Sequence, residues 1–487
     1  MKILPRIFLL LALFLCTAPG HAADTHTPLK LTACKTPDGK QDAMCGTLDV
    51  PEDRALPNGR KISLRVLVLP AQSKTPAPDP LFAIAGGPGQ SAVDAFSASP
   101  APGYIELLRK DRALVLVDQR GTGKSNLLDC NFYGDRSKLQ NWLDMPYTPE
   151  KIRECRDQLK SHADLAHYTT TEAAHDMDGV RRALGYERIN VLGGSYGTTA
   201  ALVYLREHGK NIRSVVLEGV APMNARLPLS FPATLQRSVD QVFTDCAADP
   251  ACDGAFPKVK EEFAEVLKKL DGGPATFRMK DPLTGKEQEA TLTREMFVEF
   301  VRPMLYVPRV VSAFPLLIHR AAQGEFEAYA NVAWQLMRGL DKQIARGMHF
   351  AVVCSEDVPF ITEAEIVPTL QTYLRDDRIR RMQKACAEWP AAKVSPRFLD
   401  SVESSVPVLL ISGEMDPATP PELAREAARK LSNSRVLAVK KGTHLSNSAC
   451  VDKLIADFIS RGSSRELETG CLDEVKMPQF MTSAARP

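Results

Sequence analysis

The chain has 487 residues, 44% of them hydrophobic and 25% charged, with 29 glycines and 35 prolines; this is a globular make-up and excludes a disordered, collagen-like or coiled-coil chain. Lysine and arginine number 61 against 59 acidic residues, a net charge of +2, so the chain carries no basic field for nucleic acid. Such a length allows about two or three domains and buries a large core without help from metal or disulfides.

The N-terminus reads Met1-Lys2 with Arg6, an apolar run from Ile7 to Leu15, a Pro19-Gly20 breaker and the small-residue end Gly20-His21-Ala22. This predicts a cleavable export signal over residues 1–22. The apolar run is nine residues long, whereas an uncleaved anchor needs about 20. Loss of Lys2 and Arg6 with the leader brings the mature charge to about zero. Cys16 lies inside the leader, but Leu15 stands where a small residue precedes a lipidated cysteine. The mature chain is therefore expected without a membrane anchor, in the periplasm or the medium. Ten cysteines remain, and an even number in an exported protein favours disulfides. Sequence order suggests Cys34/Cys45, Cys130/Cys155, Cys246/Cys252, Cys354/Cys386 and Cys450/Cys471, with connectivity left open.

Strands are predicted at Ile62 to Leu69, which alternates, and at the apolar runs Leu81 to Ala85 and Ala113 to Val117. Glu172 to Leu184 has apolar residues at helical spacing and ends at Gly185, a C-cap. The run Ile189 to Leu192 follows, then a helix from Tyr196 to His208 ending at Gly209, then the run Ser214 to Leu217. Short continuous apolar strands alternating with helices indicate a mostly parallel sheet covered on both faces. From Pro222 to Lys393 the pattern becomes amphipathic helix, as in Val259 to Leu270 and Glu325 to Leu340. Alternation resumes with Val406 to Ile411, a helix near Pro421 to Leu431, Val436 to Val439, and a last helix near Cys450 to Ile459. The expected division is 23–221 and 396–487 for a sheet-bearing core, with 222–395 as an inserted helical cap.

Gly193-Gly194-Ser195-Tyr196-Gly197 is a G-x-S-x-G between a strand and a helix. That setting is what a nucleophile elbow requires, because the sharp turn tolerates no side chains on either side of the exposed hydroxyl. A serine needs a base, and the base an orienting acid, in the chain order Ser, acid, His. Asp416 follows the strand Val406 to Ile411, and His444 follows the next one; Glu414 is the neighbour that can replace Asp416. The other histidines lie before Ile62, beside helices, or in the insertion (His319, His349). An oxyanion hole needs two backbone donors: the Tyr196 amide is one, and the loop Gly86-Gly87-Pro88-Gly89 supplies the other, from Gly87 or alternatively Gly86. The same loop satisfies G-x-G-x-x-A with Gln90-Ser91-Ala92, a weak dinucleotide fingerprint in an exported chain. Gly121-Thr122-Gly123-Lys124-Ser125 ends like a phosphate loop but has Asp118 where the first glycine belongs.

With these motifs, Cys45-Gly46-Thr47-Leu48, Asp118-Gln119-Arg120-Gly121-Thr122-Gly123, Gly413-Glu414-Met415-Asp416-Pro417 and Gly442-Thr443-His444, the sequence resembles the proline iminopeptidase and tripeptidyl aminopeptidase family of α/β hydrolases. It is closest to the exported, disulfide-bearing bacterial branch with a TAP-like C-terminal region. The resemblance implies an α/β-hydrolase fold and a cofactor-free, metal-independent serine aminopeptidase. It also implies a peptide substrate whose free amine is recognised by the cap. Ala85 departs from the histidine that proline iminopeptidases carry before the glycines, which weakens strict proline specificity. Glu356 or Asp357, beside Cys354, is the acid expected to bind the amine, against a solvated acidic turn. Trp389 is read as packing the cap rather than lining the cleft, and Asp118 and Arg120 as bracing loops. The competing function is an esterase or amidase for a small acyl substrate, since one fold serves many.

Overall fold

The computed structural model describes residues 28–97, 102–445 and 448–483. The predicted leader, with Cys16, lies outside the described residues. Eleven strands occur among them: β1 (Thr32–Lys35), β2 (Asp42–Pro51), β3 (Lys61–Leu69), β4 (Leu81–Ile84), β5 (Leu114–Val117), β6 (Ile189–Gly194), β7 (Ile212–Glu218), β8 (Ala275–Lys280), β9 (Glu287–Leu292), β10 (Val408–Gly413) and β11 (Ser434–Val439). Nine of them form one sheet in the order β1-β2-β3-β5-β4-β6-β7-β10-β11. Pairing is antiparallel from β1 through β3 to β5 and parallel from β5 to β11.

β4, β5, β6 and β10 are buried at every residue, because helices cover both faces; this is why they read as unbroken apolar runs. The helices Thr170–Ala183, Tyr196–His208 and Pro421–Ala428 pack on one face with Phe82, Val115, Val191, Val215 and Leu410. On the other, Gly103–Leu108 and Ala449–Arg461 pack with Leu81, Leu116, Leu192, Val216 and Leu409. Consecutive strand residues thus feed opposite cores. Gly185 ends its helix at φ 77°, as its lack of a Cβ allows. Gly209 does not reverse the chain; it stays right-handed and leads into a short 3₁₀ turn, Gly209–Asn211.

The β1–β2 hairpin was not anticipated. Its residues are largely exposed or half-buried, so hydrophobic patterning is weak there, and Cys34–Cys45 ties its two strands. All five cysteine pairs suggested by sequence order are disulfides. No helix among the described residues is long and apolar enough to cross a membrane.

The insertion forms its own core from the helices Leu227–Ala248, Val259–Asp271, Arg294–Met304, Pro308–Ala322 and Glu327–Asp341. The region is mainly helical as expected, with two features that the expectation did not include. The antiparallel β8–β9 hairpin sits within it, carrying alternating charged residues that leave little apolar signal. Tyr133, Trp142 and Leu143, from the segment after β5, also join this core. Conversely, Met348, Phe350, Val352, Cys354 and Trp389, from the insertion's return segment, belong to the sheet's own core. Trp389 is buried against Phe350, 5.6 Å between ring centroids, so it packs and does not line the cleft.

Candidate active site

The sheet register brings the chemistry to one edge. Ile84 pairs with Gly193, Gly194 with Glu218, Glu218 with Ile411, and Gly413 with Val439. The loops leaving β4, β6, β10 and β11 therefore emerge together beyond the carboxyl ends of parallel strands, where open α/β sheets place their ligands.

Ser195 sits at φ 56° and ψ −125° between β6 and the helix Tyr196–His208. A non-glycine residue held there is strained, and its neighbours show why the turn must be so sharp. A Cβ on Gly193 would stand 2.2 Å from the Gly197 carbonyl oxygen, and one on Gly197 would stand 2.3 Å from the Ile84 oxygen. Both flanking glycines are thus required by packing.

Asp416 and His444 meet as the sequence predicts: His444 Nδ1 lies 2.8 Å from Asp416 Oδ2. The carboxylate is fully buried. Its Oδ1 accepts from the amides of Ala418 (2.8 Å) and Thr419 (2.9 Å), and its Oδ2 from the Thr419 hydroxyl (2.6 Å). Burial alone would raise its pKa, but His444 and these donors outweigh it and hold the carboxyl below its usual range. The imidazole is stacked on Tyr306, 4.3 Å between centroids, and Arg302 donates to the Tyr306 hydroxyl at 2.7 Å. Glu414 contributes its backbone carbonyl to Arg237, and the contact with His444 belongs to Asp416.

The glycine loop passes directly against the nucleophile: a Cβ on Gly86 would lie 3.0 Å from Ser195 Cβ. The Gly86 amide donates to Gln90 Oε1 at 3.1 Å, which favours the Gly87 amide as the partner of Tyr196. Asp118 accepts from the Ser91 hydroxyl and the amides of Val93 and Lys124. Arg120 is held by Asp176 and by the carbonyls of Glu52 and His167. Both brace loops.

Ser195, His444, Gly87 and Pro88 line a cavity of about 360 Å³ roofed by the insertion. Here one expectation is corrected. Glu356 and Asp357 do not line this cavity. Glu356 is buried beneath it, accepting from the amide and hydroxyl of Thr170, whose hydroxyl also bonds the Tyr196 phenol at 2.7 Å. Asp357 accepts from the Leu227 amide at 3.3 Å. Burial pushes Glu356 up to about 8 and Asp357 up to about 7, so Glu356 keeps its proton at neutral pH and Asp357 is only partly ionised there. The carboxylate that does line the cavity is Glu299, together with Arg302, Arg346, Arg378 and Arg381. Sequence reasoning missed all five. Their only signal is a set of charged residues in amphipathic helices, which ordinarily reads as a solvated face.

Residues 79–275 match the α/β hydrolase fold family and residues 371–471 the TAP-like protein family. The chain is similar to serine protease Hip1 of Mycobacterium tuberculosis, 25% identical over 90% of this chain and 89% of that protein. It is also similar to tripeptidyl aminopeptidase of Streptomyces coelicolor, 25% identical over 88% of this chain and 82% of that one. Carboxylesterase B of M. tuberculosis is 26% identical, over 86% and 85%.

Proposed function

For this chain, a TAP-like α/β hydrolase and a serine hydrolase, we propose the activity of an exported serine aminopeptidase that releases residues from the N-terminus of peptides. The observation that carries this reading is the convergence of the Ser195 turn, the His444–Asp416 pair and the Gly87 loop on one cavity roofed by the insertion. A roofed cavity suits the end of a peptide better than a continuous chain.

In the proposed mechanism the Ser195 hydroxyl attacks the scissile carbonyl as His444 Nε2 removes its proton. Asp416 accepts from Nδ1–H, fixing the tautomer and stabilising the imidazolium. The amides of Gly87 and Tyr196 receive the developing oxyanion. The imidazolium then protonates the leaving amine, and water, activated by the same base, releases the acyl group. The five disulfides support export.

A second reading, an esterase or amidase for a small acyl substrate, is favoured by one observation. The cavity's carboxylate, Glu299, already serves three arginines and is not free for an ammonium group. The deciding measurement is kcat/KM on peptide amides with free and acetylated N-termini, beside a p-nitrophenyl ester. Strong preference for free amines is expected. Indifference to acetylation, with turnover of the ester alone, assigns the chain to the second reading.

A further inference from the structure

We propose that the insertion's wall of the cavity is a carboxylate-binding subsite in which Arg346 meets the ligand, so that this enzyme selects peptides bearing a negative charge. The inference rests on the serine-peptidase reading and names the substrate class of that same site.

Arg346 is 8% exposed, yet its Nε and Nη2 have no hydrogen-bond partner. Its guanidinium lies 5.9 Å from the centroid of the Tyr147 ring, which orients it. The nearby acids are engaged elsewhere: Asp129 accepts from the Arg346 backbone amide at 2.9 Å, and Asp341 accepts from Arg136 at 3.0 Å. Arg302, Arg378 and Arg381 line the same cavity. Glu299 is shared among these three, Glu295 pairs with Arg381, and the Nε atoms of Arg378 and Arg381 have no partner. His349, also in the wall, is half-buried beside these cations, and desolvation with their charge holds it neutral.

Four guanidinium groups therefore face the cavity against one lining carboxylate. A buried guanidinium is permanently charged and costly without a partner. Its planar fork matches a carboxylate with two parallel hydrogen bonds. In a peptide that carboxylate is either an acidic side chain or the free C-terminus of a short chain, and both sit within reach of a cavity that also holds Ser195.

The test uses matched peptides: Glu against Gln at each position, and a free against an amidated C-terminus. The wild-type enzyme is expected to cleave the charged member of one pair roughly ten- to a hundred-fold faster in kcat/KM, the worth of a charge-assisted hydrogen bond. The responding pair identifies the source of the carboxylate. Arg346→Gln should bring that ratio close to one, and Arg346→Lys should keep part of it. Equal cleavage within every pair by the wild type overturns the proposal whether or not a variant folds, as does an unchanged ratio in Arg346→Gln. If no peptide is cleaved while a p-nitrophenyl ester is, the peptidase reading fails. The subsite is then judged on p-nitrophenyl esters whose acyl chain ends in a carboxylate or its methyl ester. A charged preference sustains the subsite and parity removes it.

Discussion

The carboxyl edge of the sheet and the wall of the insertion face each other across one cavity and solve opposite problems. At the sheet edge the acid of the catalytic constellation is matched locally: Asp416 accepts three short hydrogen bonds from its own loop and a fourth contact from His444. In the wall, guanidinium nitrogens of Arg346, Arg378 and Arg381 stay unmatched although buried. The two buried carboxylates Asp416 and Glu356 show the same contrast. His444 and the three hydrogen bonds from Ala418 and Thr419 keep the first ionised, whereas the two hydrogen bonds from Thr170 and the charge of Arg206 do not offset the burial of Glu356, which holds a proton to about 8. A site completed by its own loops carries out chemistry on any acyl group, and a site left incomplete selects which group arrives.

The sharpest break of this comparison is Ser195→Ala, for which kcat should fall roughly 10⁴- to 10⁶-fold with the thermal midpoint unchanged. Retained turnover in a clean preparation would remove the sheet edge from the chemistry. Asp416→Asn should lower kcat roughly 10³- to 10⁴-fold by permitting the wrong tautomer of His444. On the opposite wall, Glu299→Gln leaves the buried Arg381 and the half-buried Arg302 and Arg378 without their shared anion. It should cost about 3–5 kcal/mol in denaturant unfolding, and a neutral result would mean the arginines are solvated.

The smallest effect is expected from Glu356→Gln, which keeps an acceptor for Thr170 and should leave kcat/KM near the parental value. Its signature is in stability against pH. A carboxyl raised to about 8 in the folded state binds more protons folded than unfolded above its ordinary value of 4.5. Its stabilisation is therefore complete below that value and is lost as pH rises toward 8. The parent's unfolding midpoint should decline across this window, and the variant should decline less. A loss of activity comparable to that of Asp416→Asn would make Glu356 part of the chemistry.

The elements that place the reacting groups were legible in the sequence because each obeys a local rule. The parallel strands are unbroken apolar runs since both their faces are covered. Gly193 and Gly197 flank Ser195 since a Cβ at either would strike backbone. Asp416 and His444 each follow a strand, and parallel strands deliver their ends to one edge. The cysteines pair with near neighbours along the chain. Other features were settled only by tertiary packing. The β1–β2 and β8–β9 hairpins are too polar to announce themselves. Glu356 looked like an acid for the cleft, but the helix Arg346–Glu356 turns its last residue down onto Thr170 while its first, Arg346, lines the cavity. Which charged residue of an amphipathic helix meets solvent, a core acid or a substrate depends on what packs against that helix, and that partner lies far away in the chain.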